Sequence, residues 1–212
     1  MNRITTLTAA SLGLLALAGC GNPKLVAPDD YPQLYVSPDD SNVLLFTKPG
    51  LDLSGYRKVL LEPTEIRIQD ETGVHAAQDA GASEVAAYAD TRLRAELSRS
   101  FELVDTPAAD VLRIRFRVLD AKPTSKGQVA MMLPPFSMVN MVSPKGIFTG
   151  SVTIAGEFRE GLADDMSVAF VAYGTRPGID ATVAFRPWDA AKKVVDRIAV
   201  RLARDLEGLR QD

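Results

Sequence analysis

Three arginines stand at alternate positions, Arg113, Arg115 and Arg117, between Leu112, Ile114, Phe116 and Val118. In an extended strand this puts three guanidinium groups on one face in steps of about 7 Å, each able to clamp a carboxylate or phosphate with two hydrogen bonds. Such a row could bind an anionic polymer or a lipid headgroup. It could equally be a solvated face whose charges pair with acids across the sheet, Glu157 for instance. Glu62 and Glu65 lie three apart on a β-rich stretch, which predicts opposite faces and no acid–base pair. The chain has one cysteine and one histidine. A His/Cys zinc site and a disulfide framework are therefore excluded within one chain. A Ser-His-Asp or Cys-His device would have to use His75. His75 sits in a polar stretch beside Gln78 and Asp79, with no nucleophile signature, and reads as a surface residue. No cofactor, no metal and no catalytic residue are expected, so the chain reads as a non-enzyme.

The single cysteine has a more specific context. Arg3 and the amino terminus form a short positive region, Ile4 to Ala18 is uncharged and mostly apolar, and Leu17-Ala18-Gly19-Cys20 follows. That order is a signal segment, residues 1–19, ending in small residues. The four-residue ending resembles the lipobox of bacterial lipoproteins. The resemblance implies cleavage before Cys20, a diacylglyceryl group on its sulfur and an acyl chain such as palmitate on the freed amine. More than one chain makes such an anchor stable, at about 0.8 kcal/mol per buried methylene. The alternative, an uncleaved span, is disfavoured because Ile4 to Cys20 is only seventeen residues long and contains Thr5, Thr6, Thr8 and Ser11, whereas a span takes about 20 predominantly apolar residues. Gly21 after the cysteine resembles the outer-membrane sorting pattern of enterobacterial lipoproteins. The expected location is thus the outer membrane, lipid-anchored and facing the periplasm.

A third feature is the uncharged stretch from Gly127 to Pro144, with Met131, Met132, Met138 and Met141, the Pro134-Pro135 pair and Phe136. Methionines adapt to varied apolar partners, and the segment is too short and broken to span a membrane. It reads either as a contact segment for a partner or ligand or as an insertion that caps the core.

The elements that must position these residues follow from periodicity. Residues 20–55 form a lipidated tether and Pro-rich arm: Pro23, Pro28, Pro32, Pro38 and Pro49 exclude a long helix, while Tyr31 to Phe46 is apolar enough to pack on the domain. Residues 56–212 form a single domain. Lys58–Gln69 reads as a strand interrupted at Pro63, residues 70–82 as loop, and Ser83 as the N-cap of a helix with Val85, Ala86, Ala89, Leu93, Leu97 and Phe101 on one face. Phe101–Val104 reads as a short strand and Val111–Leu119 as a strand with one wet face. Thr149–Glu160 and Ser167–Gly174 form a hairpin, with Asp164 and Asp165 in its turn. A last helix starts at Trp188 with the stripe Ala191, Val195, Ile198, Leu202 and Leu206. Its Asp189/Lys193 and Lys192/Asp196 pairs stand at helical spacing. The expected class is α+β: two layers, a mainly antiparallel sheet of about four to five strands covered on one face by two helices, with an extended N-terminal arm.

Several of these stretches resemble a family of uncharacterised proteobacterial lipoproteins, domain-of-unknown-function family 3313. They are the run from Phe46-Thr47-Lys48-Pro49-Gly50-Leu51 to Val59-Leu60-Leu61-Glu62-Pro63, the upstream Asp30-Tyr31-Pro32-Gln33-Leu34, Phe101 to Asp105 with Asp110 to Ile114, and Pro187-Trp188. The resemblance runs from Tyr31 to Leu209. It departs at Asp164-Asp165-Met166, where the family has Thr-Gly after its Asp. It brings no known activity. The element order is also similar to the α+β domains of envelope lipoproteins that act as assembly or activator partners, a likeness at the level of fold.

Composition bounds the rest. The chain of 212 residues is 46% apolar and 24% charged, with net charge −3, as expected of a globular protein. Loss of residues 1–19 removes one basic residue and no acid, making the net charge −4. A mildly acidic domain lacks the basic footprint of a nucleic-acid binder. The expected role is protein interaction with an unknown envelope protein, in assembly or maintenance. The alternative is a lipid or small apolar ligand-binding module that uses the 127–144 segment.

Overall fold

A computed structural model describes residues 25–70, 73–76, 80–123, 149–177 and 188–208. The regular β pattern of the sequence becomes β1 (Tyr35–Val36), β2 (Val43–Thr47), β3 (Lys58–Leu61), β4 (Glu65–Asp70), β5 (Gly73–Ala76), β6 (Glu102–Leu103), β7 (Val111–Lys122), β8 (Thr149–Glu160) and β9 (Val168–Pro177). The helices are α1 (Ala80–Leu97) and α2 (Asp189–Gly208). The main path of the sheet runs β1-β2-β9-β8-β7-β3-β6, with β4 also on β7 and β5 on β4.

The class is α+β as expected, but the sheet is larger and mixed. β3 pairs in parallel with both β6 and β7, and β4 pairs in parallel with β7. Most pairings are antiparallel, as expected, but the expected four to five strands understate the sheet and miss its parallel part, for two physical reasons. First, α1 carries the chain from β3 and β4 back over the sheet, and a strand reached by such a crossover must run parallel. Second, the arm is not a mere spacer: Val43 to Thr47 add to the sheet as β2, antiparallel to β9.

The core sits between sheet and helices. Leu112, Ile114, Phe116 and Val118 point into it from β7, Val152, Ile154 and Phe158 from β8. Val85, Ala86, Ala89, Leu93 and Leu97 of α1 and Ala191, Val194, Val195 and Ala199 of α2 close it. Phe170 meets Phe116 edge-on at 6.0 Å and Phe158 at 6.4 Å. These rings cross directly over Gly156, where a Cβ would lie 2.4 Å from Phe170 and 3.2 Å from Phe116. Only glycine leaves room for that aromatic pair.

Three local expectations are corrected. α1 starts at Ala80 rather than after Ser83; its first turn is packed against Trp188, so closely that a Cβ on Gly81 would sit 1.7 Å from the indole. Part of the expected 70–82 loop is strand: β5 pairs with β4, placing His75 opposite Ile68. Finally, Lys192 and Asp196 of α2 pair with the neighbouring helix instead of with each other. Lys192 reaches Glu84 at 2.6 Å, and Asp196 takes Arg92 at 2.9 Å and the Tyr88 hydroxyl at 2.8 Å. Side-by-side packing of the helices offers these partners at better geometry than a turn of one helix does.

Candidate functional site

The face of the sheet turned away from the helices carries the arginine row. Alternation along β7 dictates this: Leu112, Ile114 and Phe116 face the core, so Arg113, Arg115 and Arg117 face outward. The three are then used differently. Arg113 donates to the Ala163 carbonyl in the β8–β9 turn. Arg115 reaches Glu62 through Nε at 2.6 Å and through a terminal nitrogen at 2.5 Å, and lies 3.4 Å from Glu157. Arg117 clamps Asp30 of the arm with two contacts of 2.8 Å, and lies 3.4 Å from Glu157 and 3.8 Å from Glu65. Arg159, from β8, adds a 2.7 Å contact to Glu157.

Glu157 is the centre of this cluster and is 1% exposed. Antiparallel register sets it directly opposite Arg115, the cross-strand pairing anticipated from the sequence. Its surroundings are not the solvated face anticipated with it. Three guanidinium groups neutralise the carboxylate in place, yet neither of its oxygens has a well-directed hydrogen bond among the described residues. Burying a charge is tolerated only with such partners around it.

The lid over the cluster is the arm. Leu25, Ala27, Tyr31 and Leu34, with Leu44 of β2, pack on a second small core of Leu119, Ala155 and Val171. Tyr31 lays its ring over the Arg117 guanidinium, 5.3 Å from the ring centre. Burial, with the Glu157 charge nearby, pushes the Tyr31 hydroxyl well above the ordinary phenol range. The Arg117 hydrogen bond holds the Asp30 carboxyl below the usual carboxylate range, against the opposing effect of burial. For Arg117 burial works to lower the pKa, but the Asp30 hydrogen bond and the Glu157 charge outweigh it and raise it further. The Arg115 guanidinium is raised in the same way, by Glu62 and Glu157 against burial.

Glu62 and Glu65 both reach the arginine face, contrary to the opposite-face expectation. Leu61 is in register with Ile114, but Glu65 is in register with Arg117. Four steps on β3–β4 thus match three on β7. The extra residue falls between Leu61 and Glu65, a stretch that contains Pro63, which donates no hydrogen bond, and it flips the facing of everything after it. Chemically the cluster fastens the arm to the sheet; among the described residues no Ser, Cys or His belongs to it.

Among the described residues no group of three or more His, Cys, Asp or Glu could hold a metal ion, and no helix is long and apolar enough to cross a membrane. Cys20 lies outside the described residues, as do Met131, Met132, Phe136, Met138 and Met141. Asp30, Tyr31 and Arg159 were not named as site residues from the sequence. Asp30 is 87 residues from Arg117, and nothing local signals that contact. Glu157 did leave a signal, as an acid on the strand expected to lie across from the arginine row.

A family model described as a protein of unknown function, DUF3313, matches residues 25–202. No curated protein matches the chain. Among solved structures, a PelC variant dodecamer from Paraburkholderia phytofirmans is similar at 14% identity and a TM-score of 0.40, covering 76% of this chain and 95% of that one. A DUF330 protein from Xanthomonas campestris gives 10% identity and a TM-score of 0.40, covering 78% and 92%. A DUF4136 protein from Bacteroides thetaiotaomicron gives 13% and 0.36, covering 81% and 98%. At these scores the likeness carries no functional inference.

Proposed function

The chain belongs to DUF3313, a family of unknown function, and on that premise we propose that it is a lipid-anchored cell-envelope protein that works by binding another protein. The observation that carries the anchor is Leu17-Ala18-Gly19-Cys20 directly after a positively charged start and an apolar segment. Cys20 takes the lipid, and the outer membrane with a periplasm-facing domain is the location proposed. The binding role is supported by the uncharged, methionine-rich 127–144 stretch, whose side chains can adapt to an apolar partner surface. The lipid or small apolar ligand reading uses the same segment.

Crosslinking in cells followed by purification through the full-length chain tests this. The intact protein is expected to bring down a protein partner in constant ratio. A variant lacking Gln128 to Ser143 is expected to keep its membrane anchor and its cooperative melting while losing that partner. Recovery of bound lipid and no protein overturns the reading in favour of the ligand-binding one.

A further inference from the structure

The Arg117 fork and the acid that fills it differ in exposure. The arginine side chain is 9% exposed, whereas the Asp30 side chain is 54% exposed. Both terminal nitrogens of Arg117 go to that one carboxylate, at 2.8 Å each. A buried guanidinium with both prongs on a solvent-facing acid has the geometry of a carboxylate-binding site whose occupant lies at the opening.

That occupant is lightly held. Among the described residues, positions 25–34 make one backbone hydrogen bond, from the Tyr31 amide to the Pro28 carbonyl, inside the arm itself. Pairing with the sheet begins only at Tyr35 and Val36 of β1. What holds residues 25–34 down is the Arg117 fork, the Tyr31 ring over it and the small core of Leu119, Ala155 and Val171. Closure also leaves the Tyr31 hydroxyl, Arg117 Nε and both Glu157 oxygens buried without a directed hydrogen bond among the described residues, a cost that opening to solvent removes. The arm is thus a strap hinged at β1.

We propose that Arg117 is a binding site for an acidic side chain of a partner protein, and that Asp30 occupies it from within until the strap lifts. The arm is the template for what fits. It sets one carboxylate in the fork, with Leu25, Ala27, Tyr31 and Leu34 on the apolar surface beside it. The partner's segment therefore carries an acid flanked by apolar residues. Glu157 at 3.4 Å and Glu65 at 3.8 Å from Arg117 favour a singly charged carboxylate over a doubly charged phosphate, which they repel more strongly. The site rests on the protein-binding reading above for its partner, but it uses neither the lipid nor the 127–144 stretch.

The test uses the full-length chain and a labelled synthetic peptide with the sequence of residues 25–34, its binding read by fluorescence anisotropy. In the unaltered chain the tethered arm competes with the peptide. The Asp30→Asn chain frees the fork, and the peptide is expected to bind it more tightly, by up to about fivefold for the loss of an exposed ion pair. A peptide that itself carries Asp30→Asn is expected to bind that chain several-fold less tightly. Adding Arg117→Lys, which keeps the charge but not the fork, is expected to abolish the preference between the two peptides. In the unaltered chain, saturating acidic peptide is expected to speed amide exchange from Leu25 to Leu34. Equal affinity of the two peptides for the Asp30→Asn chain overturns the carboxylate site, whether or not the Arg117→Lys chain folds. Arm amides that stay protected at saturating peptide put the binding elsewhere and overturn the strap. Inorganic phosphate that displaces the peptide at lower concentration than acetate overturns the choice of carboxylate. A dimer of the unaltered chain that the peptide dissociates makes a second copy's arm the occupant and overturns the assignment to another protein. None of these outcomes touches a partner captured through the 127–144 stretch, so the two readings fail separately.

Discussion

The two faces of the sheet are built from the same strands by alternate residues, yet they are held to their covers by opposite means. Toward the helices, β7 presents Leu112, Ile114, Phe116 and Val118, all buried, against two helices and a ring pair over Gly156. Toward the arm it presents Arg115 and Arg117, gathered around the buried Glu157 and fastened to Asp30. The first face gains stability from apolar area, without direction. The second gains little net energy, because desolvation consumes most of the attraction, but it accepts only one arrangement of partners. The helix face supplies stability, and the arm face supplies the register in which the N-terminal segment lies down.

Three substitutions break or sharpen this contrast. Phe116→Ala removes a fully buried ring and leaves a cavity beside Phe170; it is expected to cost about 3–5 kcal/mol, read as a fall in the urea midpoint of the whole domain. A loss confined to the arm would contradict the division of roles. Glu157→Gln comes next. It leaves three guanidinium groups around a neutral amide and is expected to cost about 3 kcal/mol. Glu157→Leu combined with Arg117→Met recovers most of that loss, since neither charge is then buried alone. A double variant as unstable as the single would show that the cluster's value is not electrostatic.

The smallest effect belongs to Asp30→Asn. Its carboxylate is half-exposed, so after solvent screening the change costs under about 1 kcal/mol. It should act locally, speeding amide exchange from Leu25 to Val36 while the core strands stay protected. The same contact sets a pH dependence. Arg117 depresses the folded pKa of Asp30, so its contribution is fully present above the unfolded carboxyl value of about 3.9. It is lost as pH falls through the lower folded value. Arm protection in the native protein is expected to fall over that acidic range and to be nearly flat with pH in the asparagine variant.

The strongly periodic stretches were legible in the sequence. The Leu112–Val118 alternation gave the strand and its wet face, the stripes on α1 and α2 gave two helices over one face, and Glu157 was recognisable as a partner for the row. Contacts across long separations were not legible. The 87-residue gap from Asp30 to Arg117 leaves no periodic trace. The facing of Glu65 depended on one extra residue between Leu61 and Glu65 that only register with β7 reveals.

By itself, then, the sequence determined what short-range physics determines: which side chains share a face, where proline breaks a strand, and the signal-like segment that ends at Cys20, the residue proposed to carry the lipid. Only the tertiary structure decided that β3 and β4 run parallel to β7, that the arm supplies a strand, and that the arginines close around Glu157. Those outcomes depend on which distant segments find each other. A charged side chain carries no information about its partner until burial removes the water that would otherwise serve equally well.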